Sequence, residues 1–312
     1  MIQAEKISRL YGATYAVRDL SFQVRRGEVM GLLGPNGAGK STTMKILACF
    51  LPPSSGTAEI DGVSLNNDLE VRRRVGYLPE HAPSYHDLNV FAHLSFIGRM
   101  HGLSAATLQD KIVEMSAACG LQSVLHRRIE ELSKGYRQRV GLAASMLHDP
   151  ECLILDEPTT GLDPNQMIEI RQLIRRLGEK KTVLLSSHIL PEVEMVCDRM
   201  MIINDGELQA IGTHDELVQK ENSGSVLHVC LRGHVDAVAK HVQKLHADCT
   251  VEVIAQRQAD QSLLVFRHPN PTIHLAEAVF SAAVAEGTIL LEMYPERTSL
   301  EDVFHRLTGE AA

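Results

Sequence analysis

Gly34-Pro35-Asn36-Gly37-Ala38-Gly39-Lys40-Ser41 is the stretch that decides the reading of this chain. It matches the pattern G-x-x-x-x-G-K-[ST]. An apolar, β-rich run, Glu28-Val29-Met30-Gly31-Leu32-Leu33, leads into it. A helical pattern from Thr42 to about Phe50 follows it. Gly34, Gly37 and Gly39 let the backbone curl so that successive N–H groups point inward. The following helix adds the positive end of its dipole. Such a loop cradles phosphates, with Lys40 reaching the β- and γ-phosphates and Ser41 ligating Mg²⁺.

Two further stretches supply the rest of that chemistry. Cys152-Leu153-Ile154-Leu155 is an apolar strand that ends in Asp156-Glu157. Asp156 is placed to hold Mg²⁺, directly or through water. Glu157, one residue beyond, is placed to polarise an attacking water as general base. Read without the glycine-rich loop, the same pair is an acidic strand end facing solvent. Leu184-Leu185-Ser186-Ser187 is a strand closed by His188, which can donate to a terminal phosphate or serve the fold alone.

The chain has 312 residues, about two domains' worth. Hydrophobic residues make up 44% and charged residues 22%, which excludes disorder and low complexity for the chain as a whole. The net charge of −8 and the dispersal of the 31 Lys and Arg argue against nucleic acid as a partner. Six scattered cysteines without a C-x-x-C pair read as reduced thiols. No run is long and apolar enough to span a bilayer, and the first residues carry no secretory pattern, so neither an anchor nor a signal is expected.

Continuously apolar runs alternating with helical patterns predict an α/β domain over residues 1–220 with a largely parallel sheet. Gln166 to Leu177 is helical, opened by Asp163 and Pro164. Asn204-Asp205-Gly206 reads as a hairpin turn. Residues 81–150 form a helical subdomain, with helices over Asn89–His101 and Ala105–Cys119. Polarity rises at Glu221-Asn222-Ser223-Gly224, where a linker is expected. Over 221–312 the order β-α-β-β-α-β predicts a small ferredoxin-like α+β domain, with a helix at Thr272–Ala285 and a last short helix capped by Ser299.

Taken in order, these motifs resemble the nucleotide-binding subunit of ATP-binding-cassette (ABC) transporters, over roughly residues 2–215. Leu132-Ser133-Lys134-Gly135-Tyr136 is similar to the family's Leu-Ser-Gly-Gly-Gln signature, with Lys134 and Tyr136 as departures. Pro158-Thr159-Thr160-Gly161-Leu162-Asp163-Pro164 resembles its D-loop segment, and His188 its switch histidine. Tyr11 matches the aromatic that stacks on adenine. Glu80, in Val75-Gly76-Tyr77-Leu78-Pro79-Glu80, stands where the family usually has a metal-contacting Gln, and a carboxylate keeps that contact.

The resemblance implies a P-loop fold with a mostly parallel core sheet, an N-terminal antiparallel β part and the helical subdomain. It implies ATP and Mg²⁺ as cofactors, with Gly34 through Thr42 holding the phosphates. It also implies a composite site in which Ser133, Gly135 and Asp163 meet the nucleotide of a second copy. Ser133 caps the signature helix, whose N-terminus carries partial positive charge. The partners implied are that second copy and a polytopic permease, with the chain peripheral on the cytoplasmic face of the inner membrane. Motion would pass to the permease through the helical subdomain and the segment 80–85. The Leu-Pro-Glu variant and the tail Thr298-Ser299-Leu300-Glu301-Asp302-Val303-Phe304 resemble export-type subunits of the drug, gliding-motility and nitrous-oxide-reductase-maturation branch. A soluble cassette acting in DNA repair or translation lacks its marks here, because no coiled coil separates Lys40 from Ser133 and only one cassette is present. A non-hydrolysing scaffold is disfavoured by Glu157, and an importer with a regulatory tail by the Leu-Pro-Glu segment. Seven histidines fall after residue 227, and their spacing reads as solvated or partly buried rather than metal-binding.

Overall fold

The computed structural model describes residues 1–82, 85–221, 224–258, 260–270, 272–296 and 299–309. It divides into two compact units, Met1–His214 with the segment from Phe304, and Asp215–Val303. The linker residues Asn222 and Ser223, residues Pro83 and Ser84 of the segment 80–85, and Thr298 of the tail motif lie outside the described residues. The division falls at His214 rather than at residue 220, and most of the last helix joins the first unit.

The first unit is built on a six-stranded sheet. Its strands are β3 (Val29–Leu33), β6 (Val75–Leu78), β7 (Cys152–Asp156), β8 (Thr182–Ser187), β9 (Arg199–Asn204) and β10 (Glu207–Gly212). The order is β10-β9-β3-β8-β7-β6, all parallel except β10, which the Asn204–Glu207 hairpin turns back. β3, β7 and β8 are buried at every position, as an apolar strand covered on both faces must be. Helix α1 (Lys40–Leu47) starts two residues before the expected Thr42, because Gly39, at φ 100°, already turns the chain into it. A second, antiparallel sheet, β2-β1-β4-β5, joins Thr14–Val24, Ile2–Tyr11, Ser55–Ile60 and Val63–Ser64. Its apolar face (Ile2, Ile7, Leu20, Ile60) shares one core with Met30, Leu32 and Leu47. Helix α2 (Asp68–Arg74) leads into β6.

Three helices form the subdomain between β6 and β7: α3 (Val90–Met100), α4 (Ala105–Cys119) and α5 (Lys134–Met146). Each starts at a side-chain cap, with Asn89, Ser104 and Ser133 accepting the N–H three residues on. Tyr85 packs edge-on against Phe96, at 5.2 Å between ring centres. Helix α6 (Pro164–Gly178) opens, as the sequence predicts, with Asp163 as cap and Pro164 at its first turn. Helix α7 (Leu190–Val196) follows β8, and α8 (His214–Glu221) follows β10. No helix of the described residues is long and apolar enough to cross a membrane.

The second unit runs β11 (Ser225–Arg232), α9 (Val235–Leu245), β12 (Thr250–Gln258), β13 (Gln261–His268), α10 (Leu275–Ala285) and β14 (Ile289–Pro295). The sheet order is β12-β13-β11-β14, antiparallel throughout. Val238 and Val242 of α9 and Val279 of α10 share one core with Leu227, Val229 and Leu231 of β11 and Phe266 of β13. Helix α10 begins at Leu275, not Thr272, because the Asn270 side chain draws in the Thr272 N–H (3.0 Å) and hydroxyl (2.8 Å) as a turn. Helix α11 (Leu300–Thr308) is capped reciprocally by Ser299 and Asp302. His228 bonds Glu296 and His241 bonds Glu286. Among the described residues, no three His, Cys, Asp or Glu cluster to hold a metal.

A stacked histidine pair joins the helical subdomain to the sheet edge. The His101 and His148 rings lie 3.8 Å apart and nearly parallel. His148 Nε2 lies 3.1 Å from the Val75 carbonyl, the geometry of a donated hydrogen bond. Burial, with smaller contributions from His101 and Lys181, lowers the His148 imidazole from 6.5 to about 4, against the Val75 carbonyl and Asp149. Between those values the unfolded chain binds a proton that the native fold refuses. Stability therefore falls as pH drops through that window. In thermal melts from pH 7 to pH 4.5, His148→Gln should lose less stability than wild type, by on the order of 1 kcal/mol after solvent screening. Parallel melting curves would show that another group sets the acid limb.

Candidate active site

The glycine-rich loop connects β3 to α1 at the C-terminal edge of the parallel sheet, and the carboxyl ends of β7 and β8 lie on that same edge. In open α/β sheets this edge is where ligands bind. Gly39 is held at φ 100°, and a Cβ there would run into the Ala16 carbonyl. Lys40 is almost fully buried and folds back over the loop, donating to the carbonyls of Gly34 (2.7 Å) and Pro35 (3.0 Å). Ala38 is buried, and its carbonyl accepts the Gly206 N–H (3.1 Å). The first turn of α1 directs its N–H groups out of the helix end, with Gly39 offering no side chain to cap them.

Asp156 is 2% and Glu157 7% exposed, so two adjacent carboxyl groups are buried together. Asp156 Oδ1 accepts hydrogen bonds from Ser41 (3.2 Å) and Ser186 (2.7 Å). Burial lifts the Asp156 carboxyl above its ordinary range. The Ser186 and Ser41 bonds oppose this, while the nearby Glu157 and Glu80 charges add to it. A buried carboxyl flanked by acids and served only by hydroxyls is a fitting oxygen donor for a hard divalent cation. Glu157 has φ 50°, a strained value for a residue with a side chain. Its N–H donates to Ser186 Oγ (2.9 Å). Its Oε2 accepts from the Thr160 hydroxyl (3.0 Å) and pairs with His188 Nδ1 (2.8 Å), while Oε1 lies 3.8 Å from Lys40 Nζ.

Lys40, Ser41, Glu157, Thr160 and His188 border a cleft of about 500 Å³, and Asp156 and Ser186 are not part of its lining. Asn36, Gly37, Gly39, Lys40, Ser41 and Thr42 line one side, and Glu80, Glu157 and His188 face them. The remaining expected residues sit elsewhere. Tyr11 is half exposed at the end of β1, with the Arg9 guanidinium 4.9 Å above its ring. Ser133 caps α5 through the Tyr136 N–H (3.4 Å), and Asp163 caps α6 through the Gln166 N–H (2.9 Å). Gly135 lies beneath the Gln166 amide.

Four residues near the carboxyl pair escaped the sequence reading. Ser186 bridges Asp156 to the backbone of Glu157, and Thr160 holds the Glu157 carboxyl. Thr159 (2.5 Å) and Ser187 (3.3 Å) both donate to the buried Glu192. Their only linear trace is a hydroxyl pair on either side, Thr159-Thr160 after the acids and Ser186-Ser187 before the histidine. Hydroxyl pairs are too common to single out without the fold.

A family model described as "ABC transporter" matches residues 17–160. The linearmycin resistance ATP-binding protein LnrL of Bacillus subtilis (strain 168) is 32% identical, covering 99% of this chain and 98% of that protein. The Nod factor export ATP-binding protein I of Ralstonia nicotianae (strain ATCC BAA-1114 / GMI1000) is 32% identical, covering 99% and 94%. A solved structure titled as the ATP-binding subunit of an ABC transporter superposes with a TM-score of 0.65 at 32% identity, over 70% of this chain and 92% of that one.

Gly39→Ala combines a left-handed backbone with a collision against Ala16, and should cost about 1–3 kcal/mol in denaturant unfolding. It should also abolish nucleotide binding in a fluorescent-nucleotide titration. Wild-type values in both would refute the close approach.

Proposed function

This chain belongs to the ABC transporter family as an ATP-binding subunit, and from that premise we propose that it powers an exporter, two copies clamping ATP between them to drive a separate membrane permease. The observation that carries this reading is the buried Glu157, held by Thr160 and His188 beside Lys40 and one residue from Asp156. Lys40 and the N–H groups of the α1 N-terminus hold the phosphates. Ser41, Asp156 and Glu80 would hold Mg²⁺, which when bound neutralises phosphate charge. Glu157 takes the proton of the attacking water through a carboxylate oxygen. His188 orients that carboxyl and is placed to donate to the terminal phosphoryl group. Tyr11 offers its exposed ring to the base.

The signature helix supports the second copy. Ser133 and Gly135 are absent from the lining of their own cleft, although α5 presents a capped, positive N-terminus suited to phosphate. Asp163, the cap of α6, is likewise absent from that lining. A permease is supported by the lack of any membrane-crossing helix among the described residues. A separate apolar groove of about 370 Å³, lined by Phe50, Tyr77, Pro79, Ile97, Met100 and Ala144 between the sheet and the helical subdomain, suits one of its cytoplasmic segments. With such a partner the chain would lie peripherally on the cytoplasmic face of the inner membrane. Export is favoured by the Leu78-Pro79-Glu80 segment and by the name of the Nod factor export relative. The domain over 221–312 is an accessory to this engine.

Glu157→Gln should bind ATP with wild-type affinity, lower turnover by about 10³-fold, and migrate as a dimer with MgATP in size-exclusion chromatography. Wild-type turnover would remove Glu157 as the base. A monomer at saturating ATP would remove the clamp.

A further inference from the structure

Lys134 departs from the family signature and has no place in the phosphate site of its own chain. It is the first residue of α5, where the helix dipole favours an acid over a cation. Its side chain runs to the loop that carries Glu157. The Nζ of Lys134 lies where a Cβ on Gly161 would go, with Cε and Cδ beside it. Gly161 sits at φ 71° and brings no side chain of its own, so the end of the lysine side chain supplies the packing the loop lacks there. A second contact runs the other way, because the Gln166 amide of α6 lies over Gly135 of α5. The helical subdomain therefore meets the loop 157–163 at Gly161 and the start of α6 at Gln166.

The loop is fastened at its other positions too. Leu162 N–H donates to the Thr159 carbonyl (3.2 Å), Thr159 to Glu192, and Thr160 N–H to the Glu157 carbonyl (3.2 Å). Thr160, directly before Gly161, donates its hydroxyl to Glu157 Oε2, the oxygen that His188 also meets. The other oxygen is thereby left on the side of Lys40. We propose that Lys134 is a positioning residue for hydrolysis: by packing on Gly161 it holds the Thr160 hydroxyl on Glu157, and so ties the base to the placement of α5 in the same chain. The inference rests on the reading of Glu157 as base. Lys134 is absent from the lining of its own chain's cleft. It acts by narrowing the freedom of a glycine that would otherwise let the Thr160 hydrogen bond wander.

The test is steady-state MgATP hydrolysis by the purified full-length protein. Lys134 is exposed, so its variants should fold, and their melting temperatures should match wild type. Lys134→Ala should lower kcat about tenfold and leave KM for ATP within about twofold, whereas Lys134→Arg, which keeps a long stem and a cation, should retain more than about half of kcat. Thr160→Val should show a similar loss. The double variant Lys134→Ala/Thr160→Val should fall no further than the worse single variant, because both act through one bond. The proposal is overturned if Lys134→Ala keeps wild-type kcat, if its effect lies in KM alone, or if the two losses multiply. Glu157→Gln separates the two levels. Loss of turnover in Glu157→Gln with full activity in Lys134→Ala removes the tether alone. Full activity in Glu157→Gln removes the base assignment beneath it.

Discussion

Two carboxyl groups buried side by side at the end of β7 are the constraint around which the first unit is arranged. Asp156 and Glu157 give up nearly all contact with bulk water. Removing a charge from water costs several kcal/mol unless partners replace the lost hydration. The fold supplies them from several directions: Ser41 and Lys40 from α1, Ser186 and His188 from the end of β8, and Thr160 from the following turn. These partners come from separate elements. None can shift far without stranding a carboxyl, so the C-terminal edge of the sheet is held rigid at the candidate site.

This arrangement also explains the backbone strain nearby. Glu157 adopts a left-handed conformation, strained for a residue with a side chain. Gly39 and Gly161 share the positive φ without that cost, and at Gly39 the Ala16 carbonyl also leaves no room for a Cβ. At Glu157 the cause is the need to turn the carboxyl toward Lys40 and His188 while its N–H stays on Ser186. Strain at such a position persists because the surrounding hydrogen bonds over-determine it.

The helical subdomain is built on different terms. Its helices rest on side-chain caps at Asn89, Ser104 and Ser133, and on apolar contacts such as Tyr85 against Phe96. It meets the rest of the unit through the His101–His148 stack, the packing of Gly141 of α5 against Leu78 of β6, the Arg139–Glu169 ion pair, and the contacts of Lys134 with Gly161 and of Gln166 with Gly135.

Local rules made much of this legible in one dimension. Continuous apolar runs marked β3, β7 and β8, and the caps Ser133 and Asp163 marked α5 and α6, because burial on both faces and helix capping are properties of short stretches. Helix starts slipped where a turn competed for the chain, at Gly39 and at Asn270. That the glycine-rich loop, the acid pair and His188 lie at strand ends was readable, because each directly follows a continuous apolar run. Tertiary structure alone decided that Ser186 and Thr160 serve the carboxyl pair, that Tyr11 lies apart from the cleft lining, and that Lys134 reaches Gly161, 27 residues along the chain. The physical reason is that a pattern in sequence fixes what a residue can offer its neighbours within a turn or two. Which distant groups meet it depends on how strands order in the sheet and on which helix ends face each other.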